Sequence, residues 1–192
     1  MYEYIKGRLA ETTPTYAVVD CGGVGYYINI SVNTYSKIST ATDVCLYLHL
    51  IVREDAHLLY GFYSKEERAL FRQLISVSGV GANTAGVMLS SMTAGEIANA
   101  IVSENVNAIK SVKGIGLKTA QRIIIELKDK VGAAGASGEP VFAANTIRDE
   151  ALSALVMLGF VKAQASKVLD KIIAGGGVSS VEELIKLALK QL

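Results

Sequence analysis

The residues best placed to do chemistry cluster in one short stretch, "SVKGIGLKTAQRIIIEL", Ser111 to Leu127. Gly114 and Gly116 flank Ile115, and Lys113, Lys118, Thr119 and Arg122 stand around them. Glycines followed by a lysine, a threonine and an apolar helix suit three ligands: the phosphates of a nucleotide, the pyrophosphate of a dinucleotide, or a nucleic-acid backbone. Nothing else in the chain competes. No Ser/His/Asp set appears, and no Cys/His cluster has metal-ligand spacing. His49 and His57 stand eight apart and read as structural or surface residues. The expectation is therefore no catalytic residue, no metal and no cofactor.

The same element occurs twice. Residues 76–89, "SVSGVGANTAGVML", match residues 111–124, "SVKGIGLKTAQRII", at an offset of 35, with Ser, Val, Gly, Gly, Thr and Ala recurring in place. A phosphate-binding loop of the Walker type needs a glycine directly before its Lys-[Ser/Thr] pair. Leu117 precedes Lys118, and the first copy has no lysine. A dinucleotide fold needs a strand before the glycines and an acidic residue about 20 further on, and neither copy has those flanks. A pair of helix-hairpin-helix motifs fits. Gly79, Gly81, Gly114 and Gly116 let the backbone approach a phosphate. The hairpin N–H groups and the N-terminus of the next helix then face the anion. Val80 and Ile115 would plug the core beneath each turn, and Thr84 and Thr119 recur beyond it. Lys118 and Arg122, four apart, would share a helix face and reach flanking phosphates. Such contacts read no base edge, so binding would be largely independent of sequence. The plain alternative is two glycine-containing helix connections without a ligand.

These motifs need a scaffold, and the chain divides into four stretches. Residues 1–63 hold five β-like runs, "YIKGRLA", "TYAVVDC", "GYYINIS", "DVCLYLHLIV" and "LLYGFY", separated by Thr13-Pro14, Gly22-Gly23, Asn33 and "REDAH". That suits a small five-stranded OB-fold barrel. Residues 64–131 read as helical and carry both hairpins. Ser64 with Glu67 and Thr93 with Glu96 have capping-box spacing. Residues 132–145, "GAAGASGEPVFAAN", read as a flexible linker. Residues 146–192 hold three helical stripes: Ile147 to Leu158 ended by Gly159, Val168 to Ile173 stopped by Gly175-Gly176-Gly177, and a third opened by Ser180 with Glu183. They make a minimal three-helix bundle of a size that commonly holds a partner, or, as often, forms a simple C-terminal extension that packs back on the body. The fold class is multidomain α+β.

Composition limits the function. Of 192 residues, 51% are apolar, enough for packed cores without any Trp. The opening "MYEYIKGR" carries Glu3, Lys6 and Arg8 and reads as no secretory signal. The longest apolar run, Val44 to Val52, falls far short of the roughly 20 residues of a membrane span. Cys21 and Cys45 are expected to be buried, reduced thiols. Net charge is only +1, but residues 65–131 hold nine Lys/Arg against six Asp/Glu, so the basic excess sits with the hairpins.

Taken together, "GGVGY" (Gly22–Tyr26), "VREDAHLLYGF" (Val52–Phe62), "SGVGANTA", "KGIGLKTA" and a tethered bundle with "LGF" resemble the RuvA family, the bacterial Holliday-junction-binding subunits, over essentially the whole chain. The resemblance implies a homotetramer, or an octamer, that holds an open four-way junction. It implies an acidic pin at Glu54 and Asp55 that repels phosphates, with Arg53 beside it contacting DNA. It implies a C-terminal domain that grips the RuvB ATPase, here through Leu155, Leu158, Gly159 and Phe160, and a resolvase, RuvC, as a further partner. It implies a cytoplasmic protein. One position departs from the family pattern: Asn83 stands where a basic residue is usual, so the first hairpin would lean on backbone amides from Gly79 to Gly81.

Two other functions remain open. A helix-hairpin-helix DNA glycosylase would need a Lys near the hairpin or an Asp about 20 residues past it in an ordered helix, and the chain past Asp129 is expected to dissolve into the linker. A generic DNA-binding adaptor would leave the barrel and its acidic loop unexplained.

Overall fold

The computed structural model describes residues 2–135, 145–175 and 180–192. The chain divides into two compact units, Met1–Ala136 and Ser137–Leu192.

In the first unit, alternation of apolar residues dictates the strands. Ala17 and Val19, Ile28 and Ile30, and Val44, Leu46 and Leu48 all turn inward and are buried, as a period of two demands. The strands are β1 (Tyr4–Thr12), β2 (Tyr16–Cys21), β3 (Val24–Ile30), β4 (Asp43–Val52) and β5 (His57–Phe62). They close in the order β1-β2-β3-β5-β4. The β3–β5 seam is parallel and the other pairings are antiparallel. This is an OB-fold barrel. Register corrects the expectation for the thiols: Cys45 lies between inward Val44 and Leu46, so it faces out and is exposed, and Cys21 is half-buried.

A helix that the sequence did not announce, α1 (Val32–Ile38), joins β3 to β4 where Asn33 read as a turn. Ser31 caps it by accepting from the Thr34 N–H. Its role is in docking. The helical half of the unit comprises α2 (Lys65–Ser76), α3 (Ala82–Ser91), α4 (Ala94–Val102), α5 (Val106–Lys110) and α6 (Leu117–Gly135). The Asn33 side chain donates to the carbonyls of Leu89 (2.6 Å) and Met92 (3.0 Å), and the Ser90 hydroxyl accepts from the Val32 N–H. On α2, Ser64 caps as expected, but the Glu67 side chain does not return to the cap. It is buried and accepts from Ser31 Oγ (2.8 Å), Thr34 Oγ1 (3.0 Å) and the Tyr63 N–H (3.2 Å). The neighbouring Arg68 is also buried. It donates to the carbonyls of Glu3 and Leu48 and pairs with the Glu3 carboxylate. Thr93 and Glu96 form the full reciprocal capping box.

Tyr60 and Phe62 of β5 reach past the barrel into the helical core, where Phe71 of α2 packs on both rings at 5.2 and 4.8 Å. The barrel and the helices are thus joined by one apolar core and two buried charged side chains.

The linker expected over 132–145 lies mostly outside the described residues; 132–135 continue α6, and Asn145 opens the next helix. The second unit contains α7 (Asn145–Met157), α8 (Lys162–Ala174) and α9 (Val181–Leu189) around Ala151, Leu155, Ala165, Leu169, Ile172, Leu184 and Ala188. Ser180 caps α9. Gly175 ends α8, and the expected stop at Gly176 and Gly177 lies outside the described residues. Two residues of the expected stripes, Leu158 and Ile173, are exposed instead, because Leu158 follows the last turn of α7 and the buried side of α8 is formed by Ala165, Leu169 and Ile172.

Replacing Glu67 with Ala removes the acceptor of the Ser31 and Thr34 hydroxyls in a buried setting, while the Tyr63 N–H keeps Thr34 Oγ1 at 3.3 Å. The expected cost is on the order of 3 kcal/mol, read as a lower urea midpoint; a parent-like midpoint contradicts the docking role. His49 gives a pH signature. Arg72 Nε donates to its Nδ1 at 3.3 Å, and its ring meets the Phe71 ring edge-on. Burial, then the charges of Arg72 and Arg68, hold the imidazole below its ordinary value of 6.5. The unfolded chain therefore binds the proton more readily. Stability is complete above about 6.5 and falls as the pH drops below it. His49→Gln should flatten that acid limb in urea titrations at pH 7 and pH 5; an unchanged limb assigns it to other groups.

Candidate nucleic-acid interface

The two copies of the repeat build the same turn. Val77 ends α2, and its carbonyl accepts from the Val80 N–H at 3.0 Å. In the second copy the Val112 carbonyl accepts from the Ile115 N–H at 3.1 Å. Gly79 and Gly114 both sit at φ +91°. A left-handed third residue and a closing bond to the fourth are the marks of a type II turn. Any side chain at these two positions would cost about 1–2 kcal/mol in backbone strain. A Cβ would meet nothing within 4 Å at either, so the need for glycine is conformational and the space above each turn is open. Val80 and Ile115 are buried in the shared helical core. Each contributes roughly 1.5–3 kcal/mol of burial and fixes its turn from below.

The helix after the first turn begins without a side-chain cap. Ser31, Ser64, Thr93 and Asn105 give α1, α2, α4 and α5 a side-chain cap; α3 starts at Gly81 and has none. A helix leaves its first N–H groups unpaired, so the start of α3 presents bare donors and the positive end of the helix dipole. Gly116 stands in the matching place before α6.

The charge around the turns is uneven. Lys113 and Lys118 are exposed and enter no ion pair among the described residues. Lys110, in the last turn of α5, adds a third cation beside the second hairpin that the motif did not flag. The first hairpin, Val77 to Thr84, carries no charge. Its nearest cationic neighbour comes from the other copy: Arg122 Nη1 donates to the Ser78 carbonyl at 3.1 Å, and its Nε lies 4.0 Å from Glu126. Arg122, expected to project into solvent beside Lys118, is thus partly engaged in tying the two hairpins together. Asn83 is exposed, but its Oδ1 accepts from the Tyr60 hydroxyl at 3.2 Å. Thr84 and Thr119 are half-buried. Burial raises the Tyr60 phenol above its usual range, and the Arg53 charge partly offsets this. Neither Tyr60 nor Ser78 carried a sequence signal, since both act through contacts between distant parts of the chain.

Between Val52 and His57, which pair across β4 and β5, residues 53–56 form a tight loop closed by the Arg53 N–H on the Ala56 carbonyl at 2.8 Å. Arg53, Glu54 and Asp55 are all exposed at its tip, and none forms an ion pair among the described residues. Two adjacent carboxylates left in water repel a polyanion rather than bind it.

In the second unit, Gly159 at φ +97° ends α7, and the Phe160 N–H returns to the Leu155 carbonyl at 3.1 Å. Leu155 is fully buried and is not available at a surface, contrary to its expected place in a partner contact. Phe160 is half-buried against that core. Leu158 is exposed, as are Val156, Met157 and Val161, so the apolar surface at this corner is wider than "LGF". Asp129 lies inside α6 rather than at a dissolving end. It is exposed.

Comparison with known proteins agrees along the chain. A family model described as RuvA N terminal domain matches residues 1–61, one described as SAM-like Helix-hairpin-helix tandem matches 71–129, and one described as RuvA, C-terminal domain matches 146–192. Among curated relatives, the Holliday junction branch migration complex subunit RuvA of Christiangramia forsetii is 53% identical over 193 residues. Those of Flavobacterium psychrophilum and Bacteroides fragilis are 51% and 49% identical over 193 and 201 residues. In each case all of both chains is covered.

If the hairpins bind a phosphate backbone, the charged one must dominate the salt response. Lys113→Ala with Lys118→Ala should reduce the slope of log K against log salt by roughly 1.8 on duplex DNA, about 0.9 per lost phosphate contact. Both side chains are exposed, so the urea midpoint should hold. A parental slope removes the second hairpin from the interface.

Proposed function

The chain belongs to the RuvA family, and from that membership and the paired hairpins we propose that it is a non-catalytic subunit that binds a four-way DNA junction, holds it open and couples it to the ATP-driven RuvB motor for branch migration. The observation that carries this reading is the duplicated turn: two glycines at the same positive φ, each over a buried plug and each leading into a helix start. Two such turns on one rigid body address two phosphate positions at a fixed separation. Backbone N–H groups and lysines at the turns, with Arg122 beside them and Arg53 on the acidic loop, are groups that a phosphate backbone can satisfy without any base contact. Selectivity for a junction must then come from shape.

The acidic loop supplies the other half of that shape. Glu54 and Asp55 stand at the tip of a hairpin that springs from the same barrel on which the helices are docked. Near a crossover they would hold strands apart by repulsion while the hairpins hold the arms. A homotetramer suits a four-armed substrate, because each copy can serve one arm and the acidic loops can meet where the arms do. Doubling to an octamer would enclose the junction on both faces, whereas a single tetramer leaves one face for a resolvase such as RuvC. In the C-terminal unit, Leu158 and Gly159, with Val156, Met157 and Val161, offer the exposed apolar corner for RuvB; Leu155 and Phe160 support it from beneath.

Glu54→Gln with Asp55→Asn tests the repulsive role. The loop keeps its size and loses its charge, so affinity should rise, more for plain duplex than for a junction, and selectivity between them should shrink. Screening at about 0.15 M salt removes effects beyond roughly 8 Å. Equal affinities of parent and variant for both DNAs at that salt would leave the two carboxylates as ordinary surface residues.

A further inference from the structure

The first hairpin lacks the cations of the second, yet its helix start has no side-chain cap, and of its exposed polar side chains, Ser78 and Asn83, the second is held by a hydrogen bond. We propose that Tyr60 is a positioning residue for DNA binding: its hydroxyl holds the Asn83 carboxamide with the oxygen toward the barrel and the NH2 group outward, where it donates to a phosphate beside the N–H groups at the start of α3. This rests on the junction-binding reading above and assigns a barrel residue to the hairpin interface.

Tyr60 itself is anchored. It is 8% exposed and its ring lies 5.2 Å from that of Phe71. A buried ring packed against Phe71 presents its hydroxyl at a fixed point. The phenol stays protonated well beyond neutral pH, because burial disfavours the phenolate, so it remains a donor. The Asn83 oxygen accepts that proton at 3.2 Å. An amide has one oxygen and one NH2 group on opposite sides; committing the oxygen to Tyr60 turns both remaining donors away from it. An anion at the start of α3 favours the same orientation. Asn83 is the second residue of α3, within the turn whose N–H groups have no cap. A neutral donor that is pre-oriented pays little ordering entropy on binding, which lets an asparagine do part of the work of a longer, freely rotating cation.

The contact also links the hairpin to the acidic loop. Tyr60 lies in β5, three residues after His57, where that strand leaves the loop, and the Arg53 charge reaches its hydroxyl.

The test is a double-mutant cycle on the full chain, titrating a labelled four-way junction with Tyr60→Phe, Asn83→Ala and the pair at one salt concentration. Each single variant should lose about five-fold in affinity, the scale of one neutral hydrogen bond, and the pair should lose no more than Asn83→Ala alone. The salt slope should stay parental in all three, since no charge is removed. Asn83→Lys placed in Tyr60→Phe should restore binding, because a cation needs no orienting. Asn83→Asp keeps an oxygen for Tyr60 but replaces the outward donor, so it should bind more weakly than Asn83→Ala; this arm stands even if Tyr60→Phe fails to fold. Parental affinity of Tyr60→Phe, equal losses from Tyr60→Phe with and without Asn83, or Asp and Ala behaving alike would each overturn the proposal. Lys118→Ala separates the two levels. If it weakens the junction complex while Tyr60→Phe and Asn83→Ala do not, this inference fails alone. If it too is parental, the junction-binding reading fails with it.

Discussion

Two adjacent residues of α2 hold the barrel and the helices of the first unit together. Glu67 accepts from the cap and first turn of α1 and from the residue after β5, while Arg68 donates to Glu3, just before β1, and into β4. Both are buried, and a buried charge is tolerated only when its partners are complete. Any slip of the helical half against the barrel would break several of these bonds at once. The apolar contact of Phe71 with Tyr60 and Phe62 supplies area, but area alone is not directional. The charged pair supplies direction, and this sets the acidic loop at a fixed place relative to the hairpins.

That constraint explains how two unequal hairpins can act together. The second has Lys110, Lys113 and Lys118 of its own. The first has no charge, and is served by neighbours: Arg122 reaches it from α6, and Tyr60 reaches it from β5. Both contacts depend on the docked arrangement. The repeat is therefore symmetric in backbone, with the same turn and the same φ at Gly79 and Gly114, and asymmetric in how each copy obtains its donors.

The backbone part was legible in the sequence because it is local. Glycine at fixed offsets, an apolar plug between the glycines, alternation in the strands and Ser or Thr three residues before Glu each report on a few neighbouring residues. The parts that escaped are those fixed by distant contacts. α1 is seven residues long, and much of its stabilisation comes from Glu67 and from the α3 carbonyls, so its own sequence reads as a turn. Glu67 has the spacing of a capping-box residue, yet the two hydroxyls of α1 compete for its carboxylate and win. Arg122 lies on the predicted helix, but only the fold brings the Ser78 carbonyl within its reach. Leu155 and Leu158 share an apolar stripe by spacing; the three-helix core takes the first and leaves the second in water.

Junction preference is the central claim, since neither the charge nor the hairpins alone would distinguish a junction from ordinary duplex. The most direct measurement is a competition titration of the full chain at about 0.15 M salt, with a labelled four-way junction challenged by unlabelled junction or by linear duplex of equal length and composition. If the chain selects the junction by shape, duplex displaces it only at a large molar excess over unlabelled junction. Displacement by both at the same concentration would contradict it.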